Sequence, residues 1–250
     1  MFYKIKSAPL SVIAITAVFL SACSGMIPTK EERKKEKKLA SYEQILRIAR
    51  ATEKGNDLTT AKNMYGRANR MRPEALEPLD GIGRISNAIG HFNDASQAYN
   101  RMATLSPNDG AVRRGYGKSL IGMGRADLAV PQYEAALQIN PKDFDAYNGL
   151  GVALNVTGQH KKAENRYLDG LELAPDQLPL RNNLALSLAL GGNTQEAIGI
   201  LKQIVADPAA RPRHRLNLAL VYGLAGQLEQ AAAIAKRDLK PSQIKNNLAY

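Results

Sequence analysis

Proline recurs at Pro73, Pro107, Pro141, Pro175, Pro208 and Pro241, with successive spacings of 34, 34, 34, 33 and 33 residues. A period this regular constrains the fold more than any motif does. A unit of about 34 residues can form two helices but cannot bury their apolar faces alone, so the units must stack. Other positions keep the same period. Small residues stand at Ala49, Gly83, Gly117, Gly151, Ala185 and Ala219. Seven positions later come Asn56, Gly90, Gly124, Gly158, Gly192 and Gly226, and five after those Ala61, Ala95, Ala129, Ala163, Ala197 and Ala231. A large residue follows at Tyr65, Tyr99, Tyr133 and Tyr167, replaced by Leu201 and Ala235 in the last two units. Each position has a physical reason. The first small residue lets the first helix of a unit (helix A) approach the second (helix B), and the alanine on helix B fills the facing gap. Glycine at the turn accepts a left-handed backbone that a Cβ resists. Proline ends helix B by removing a donor and clashing with the preceding turn. In the fourth unit, Tyr147, Leu150, Gly151 and Leu154 lie at helical spacing on one side of helix A, and Ala163 and Tyr167 are one turn apart on helix B.

This order of small residue, turn glycine, alanine, large residue and proline resembles the tetratricopeptide repeat. The resemblance implies an all-α fold, a right-handed superhelix of about six helix-turn-helix units occupying residues 41–241. Residues 242–250 echo Asn182-Asn-Leu-Ala-Leu186 and are expected to start a capping helix. The tyrosine ladder reads as core and not as a stacking platform for nucleic-acid bases.

The amino terminus has a different character. Two lysines in the first six residues, an apolar run from Ala8 to Leu20 and small residues before a cut site make residues 1–22 a secretory signal peptide, too short for a confident membrane span. Leu20-Ser21-Ala22-Cys23 resembles the lipobox of bacterial lipoproteins, and Cys23 is the only cysteine in the chain. The resemblance implies that Cys23 becomes the acylated first residue of the mature protein, and that Ser24 after it favours the outer membrane in a Gram-negative cell. The alternative is a secreted protein with a free thiol near its start. Residues 23–40 then form a lipidated basic tether, with six basic and three acidic residues between Lys30 and Lys38. That tether is either a contact for anionic head groups or a spacer kept soluble by its charge.

Chemistry is nearly absent from the rest. A lone cysteine excludes an intramolecular disulfide framework and any zinc site built on several thiolates. His91, His160 and His214 have separations that suit no helix-borne ligand pair, so no metal and no cofactor is expected. Gly81-Ile-Gly83 and Gly115-Tyr-Gly117 lie inside helix A and not after a strand, which excludes a dinucleotide-binding loop. No nucleophile elbow is present, and the chain is not read as an enzyme. The formal charge of +11 invites nucleic acid as a partner, but the export signal and the lack of a recognised nucleic-acid fold oppose it. Without the signal peptide the charge is +9, of which the tether holds +3.

A repeat array offers its concave face. Counting from the packing positions, that face should carry Arg50, Asp80, Arg84, Asn87, Arg114, Lys118, Asn148, Asn155 and Asn182. Arginine and asparagine there could hold the backbone or carboxylates of an extended peptide, led by Arg84, Arg114 and Lys118. Solvated helix faces are the competing reading.

Residues 213–250 go beyond a generic repeat. Asn217-Leu-Ala-Leu-Val-Tyr222, the turn at Ala225-Gly226, Arg237-Asp238-Leu239 and Asn247-Leu-Ala-Tyr250 resemble the TadD family of tight-adherence (Flp) pilus assembly lipoproteins, and residues 182–198 fit as well. The resemblance implies a lipid-anchored outer-membrane scaffold facing the periplasm. Its partners would be the pilus secretion machinery, with a role as pilotin or stabiliser of the secretin. A repeat lipoprotein of another envelope machine, such as a type IV pilus pilotin or an outer-membrane protein assembly factor, is the second reading.

Overall fold

The structure, a computed structural model, describes residues 29–240 and Gln243. The signal peptide, Cys23 and, apart from Gln243, the 242–250 capping segment lie outside the described residues. Within them the chain forms twelve helices and no strand. They pair as six units: α1 (Lys30–Lys54) with α2 (Leu58–Met71), α3 (Leu76–Ala88) with α4 (Phe92–Leu105), α5 (Gly110–Gly122) with α6 (Ala126–Ile139), α7 (Phe144–Val156) with α8 (His160–Leu173), α9 (Leu178–Leu190) with α10 (Thr194–Ala206), and α11 (Pro212–Leu224) with α12 (Leu228–Ala235).

The periodic residues do what their chemistry dictates. Asn56 and the five turn glycines have positive φ, from 61° at Asn56 to 93° at Gly192. Helices α2, α4, α6, α8 and α10 each end two residues before a proline. The residue in between is pushed towards extended backbone by the proline ring, with φ of −138° at Arg72, −136° at Ser106, −132° at Asn140 and −145° at Ala174. Asp57, Asp109 and Asp143 cap the helices that follow them by accepting backbone N–H groups.

Each helix packs on its chain neighbours, and α3, α5, α7, α9 and α11 also touch one another in succession. No pair of helix-B elements packs comparably among the described residues. The A helices therefore crowd together on the inside of the curve, and the array is a superhelix with a concave face built from helix A.

The tyrosine ladder lies in this core, and the glycines of helix A make its sockets. Tyr99 is wedged between Gly83 of its own unit and Gly115 of the next, and Tyr133 in the same way between Gly117 and Gly149. A Cβ on Gly115 would lie 2.4 Å from the Tyr99 ring, and one on Gly149 2.2 Å from that of Tyr133, so only glycine admits the rings at these distances. Each tyrosine thus ties two units together while burying a ring worth about 2–3 kcal/mol.

At the amino-terminal end the basic run of the tether forms the first turns of α1, helical from Lys30 onward. Thr29 and Glu32 form a reciprocal capping box, Glu32 N–H donating to Thr29 Oγ1 at 3.2 Å and Thr29 N–H to Glu32 Oε2 at 2.6 Å. Residues 30–41 are helical and exposed, and burial begins at Tyr42, beside the boundary at 41.

Candidate functional site: a groove on the inner face

Helices α3, α5 and α7 enclose a groove of about 630 Å³ on the concave side. Its walls bring together Asp80, Arg84, Asn87, Arg114, Lys118 and Asn148, six of the residues the repeat register places there. The floor is formed by Gly115 and Gly149 with the edges of Tyr99 and Tyr133. The glycines that seat the tyrosines thus also open the floor. No partner atom meets either tyrosine hydroxyl among the described residues, so both are available to a bound segment. Burial pushes the Tyr99 phenol up to about 12 and the Tyr133 phenol higher, which keeps both as neutral donors.

The two arginines are engaged. Arg84 donates to Asp80 Oδ2 at 2.7 Å and to the Glu53 carboxylate of the unit before. The hydrogen bond from Arg84 holds the Glu53 carboxyl below its ordinary range against the opposing effect of burial. Arg114 reaches forward to Asp143 at 3.1 Å and Asp145 at 2.7 Å. The pairs with Glu53, Asp143 and Asp145 strap consecutive units together, and carboxylates of the chain itself already neutralise Arg84 and Arg114, two of the three cations expected to lead in holding a peptide. Lys118 is exposed and, among the described residues, unpaired.

Three candidates fall outside the groove. Arg50 occupies the equivalent position one unit earlier and forms a two-pronged pair with Glu77, at 2.6 and 2.7 Å. Asn155 is spent on bracing. Its Nδ2 donates to the Tyr167 hydroxyl at 3.3 Å, and its Oδ1 accepts from Ser187 at 2.9 Å. Asn182 is buried in a chain of amides along the A helices. Asn217 donates to Asn182 at 2.8 Å, Asn182 to Asn183 at 3.2 Å and Asn183 to Asn148 at 2.9 Å. Asn87 donates to the Gly115 carbonyl at 3.1 Å, so all four amides expected to face a ligand are already bonded within the array, Asn148 and Asn182 to other amides.

Residues that the register did not single out complete the surface. Val152, Leu186 and Leu220 stand at the repeat position of Arg84 and Lys118, 34 residues apart, and Val156, Leu190 and Leu224 lie one turn further along the same helices. The last three are 61%, 55% and 53% exposed, and Leu220 is 55% exposed. Along one repeat position the inner face thus changes from cationic in units 1–3 to apolar in units 4–6. The signal was present in the sequence as a change of residue type at a fixed phase of the period. Among the described residues, no three His, Cys, Asp or Glu side chains are placed to hold a metal ion.

This geometry defines a scaffold of tetratricopeptide repeats, a class whose curved inner surface binds protein segments. Tetratricopeptide-repeat family profiles match residues 114–177 and 212–237. Among solved structures, PilW, described as a widely conserved type IV pilus biogenesis factor, is 18% identical with a TM-score of 0.69, covering 84% of this chain and 94% of that one. A tetratricopeptide repeat protein from Parabacteroides merdae is 17% identical with a TM-score of 0.65, covering 84% and 98%. Pseudomonas aeruginosa pilF is 14% identical with a TM-score of 0.62, covering 79% and 90%. Identities this low carry the fold alone. No curated protein matches the sequence.

Proposed function

We propose that this chain is a lipid-anchored scaffold for assembling the tight-adherence (Flp) pilus secretion machinery, acting as pilotin or stabiliser of its outer-membrane secretin from the periplasmic side. The observation that carries the binding role is the open inner groove, with Lys118 unpaired above a floor of Gly115, Gly149, Tyr99 and Tyr133 and an apolar strip continuing beyond it. Such a surface suits an extended partner segment that is polar over units 2 and 3 and apolar over units 4 to 6. Sequence supports the setting: the Leu20–Cys23 lipobox and the likeness of residues 213–250 to TadD proteins. Deletion of the gene, followed by assay of surface pili and of secretin abundance, multimer state and membrane location, tests the proposal. Loss of pili with mislocalised or depleted secretin multimers is expected. Normal secretin multimers in the outer membrane would remove the pilotin role, and normal pili would remove the assignment to this machine.

Service to a type IV pilus is the second reading, favoured by the fold shared with PilW over 84% of this chain. It requires a type IV secretin, and not the tight-adherence one, to fail in the deletion strain.

A further inference from the structure

The exposed arm of α1 sorts its charges by face. Lys30, Arg33, Lys34, Lys37 and Lys38 fall at i, i+3, i+4, i+7 and i+8, the spacing that makes one continuous stripe along a helix. Glu32, Glu36 and Leu39 occupy the opposite side. The ion pair between Lys35 and Glu31, at 3.2 Å, lies off the stripe. Among the described residues, Lys30, Lys34, Lys37 and Lys38 have no carboxylate partner. The body of the array does not cover them. At about 100° per residue, the stripe is turned roughly a quarter of the way round the helix from the face that buries Tyr42, Ile45, Leu46 and Ala49. A charge-mixed spacer needs no such segregation, since interspersed signs would solvate it equally well.

We infer that this stripe is a docking face for the anionic phospholipid head groups of the membrane beside which the chain is anchored. Charge complementarity names the occupant, and the length of chain before the stripe supports it. The seven steps from Cys23 to Lys30 span at most about 25 Å, so an acylated Cys23 keeps the start of the arm within reach of the lipid surface. The inference rests on the acylation reading for that placement only. Juxtamembrane cations at an anionic surface each contribute about fivefold to partitioning, an attraction that decays within a Debye length of about 10 Å. Acyl chains already supply retention, so the stripe's effect is orientation: it lays the first turns of α1 along the bilayer and sets the angle at which the groove faces away from it.

The test uses the acylated mature protein reconstituted in vesicles of phosphatidylcholine alone or of phosphatidylcholine with phosphatidylglycerol. A neutral amine-reactive reagent is applied, and modification is read residue by residue by mass spectrometry. Severalfold slower modification of Lys30, Lys34, Lys37 and Lys38 on the phosphatidylglycerol vesicles is expected, with Lys202 on α10 unchanged and the difference abolished by high salt. In a Lys34→Glu/Lys37→Glu variant, whose changes lie on the exposed arm and leave the repeats intact, Lys30 and Lys38 should react equally on both vesicle types. Equal modification of the wild-type stripe on both would overturn the inference. Should the protein fail to float with phosphatidylcholine vesicles, the acylation reading fails separately. Flotation with phosphatidylglycerol vesicles at low salt would then still support the stripe, and no flotation would reject it.

Discussion

At the scale of single residues, glycine does two different jobs in this chain, and the same substitution separates them. At Gly158 a Cβ would meet nothing within 4 Å, but φ is +76°, so the cost of alanine is conformational. Gly158→Ala should lower stability by about 1–2 kcal/mol in denaturant unfolding. At Gly149 the helix interior favours alanine by about 1 kcal/mol, yet the new Cβ would lie 2.2 Å from the Tyr133 ring. Forcing the ring aside costs about 1–3 kcal/mol or more, so a net loss is expected. Tyr133→Leu in the Gly149→Ala background should then lower stability by less than it does in the wild type, because the clash is gone. The same substitution should leave the Gly158→Ala penalty unchanged. The sequence displayed both sets of glycine at fixed phase. The turn glycines and the own-unit contacts of Gly83 and Gly117 could be understood from it, whereas the sockets at Gly115 and Gly149 depend on which tyrosine of a neighbouring unit enters them. Arg84 and Arg114 had the same difficulty. Their carboxylate partners Glu53 and Asp145 are 31 residues away, a distance that acquires meaning only once adjacent A helices lie side by side.

Elements were legible wherever the period spoke. Six helix pairs, their turns and their stops follow from residues one can point to. The ends of the array, where neighbours are missing, were harder to read. The charge density between Lys30 and Lys38 points to a solvated tether, and the capping box of Thr29 and Glu32 makes that segment helical from its start. At the other end α12 has only eight residues. A two-pronged pair, Arg215 to Asp238 at 2.7 and 2.5 Å, ties the segment after it back to α11. The hydrogen bonds from Arg215 lower the Asp238 carboxyl below its ordinary value, as those from Arg84 lower Glu53. A carboxyl depressed in the folded state contributes stability that is full above its unfolded value, about 4, and is lost as pH falls through the folded value. Acid should therefore loosen unit 6. Hydrogen exchange of α11 and α12 is expected to quicken below about pH 4 in the wild type. In Asp238→Asn it should already be quicker at neutral pH and less dependent on acid over that range.

For the whole molecule, the excess of positive charge that first suggested nucleic acid resolves into separate parts. One part is the stripe on α1. The concave arginines are largely matched by carboxylates of neighbouring units, and surface pairs of this kind contribute about 0–1 kcal/mol each, so they serve register more than affinity. What remains for a partner is Lys118, the tyrosine hydroxyls, the glycine floor and the apolar strip from Val152 to Leu224. The most direct measurement is photo-crosslinking in cells, with a benzophenone side chain placed at Lys118 on the inner face or at Lys202 on α10. A covalent adduct with a protein of the pilus machinery from position 118, reduced by Leu220→Glu and absent from position 202, is the expected result. Adducts from position 202 with none from position 118 would contradict the assignment of partner binding to the concave groove.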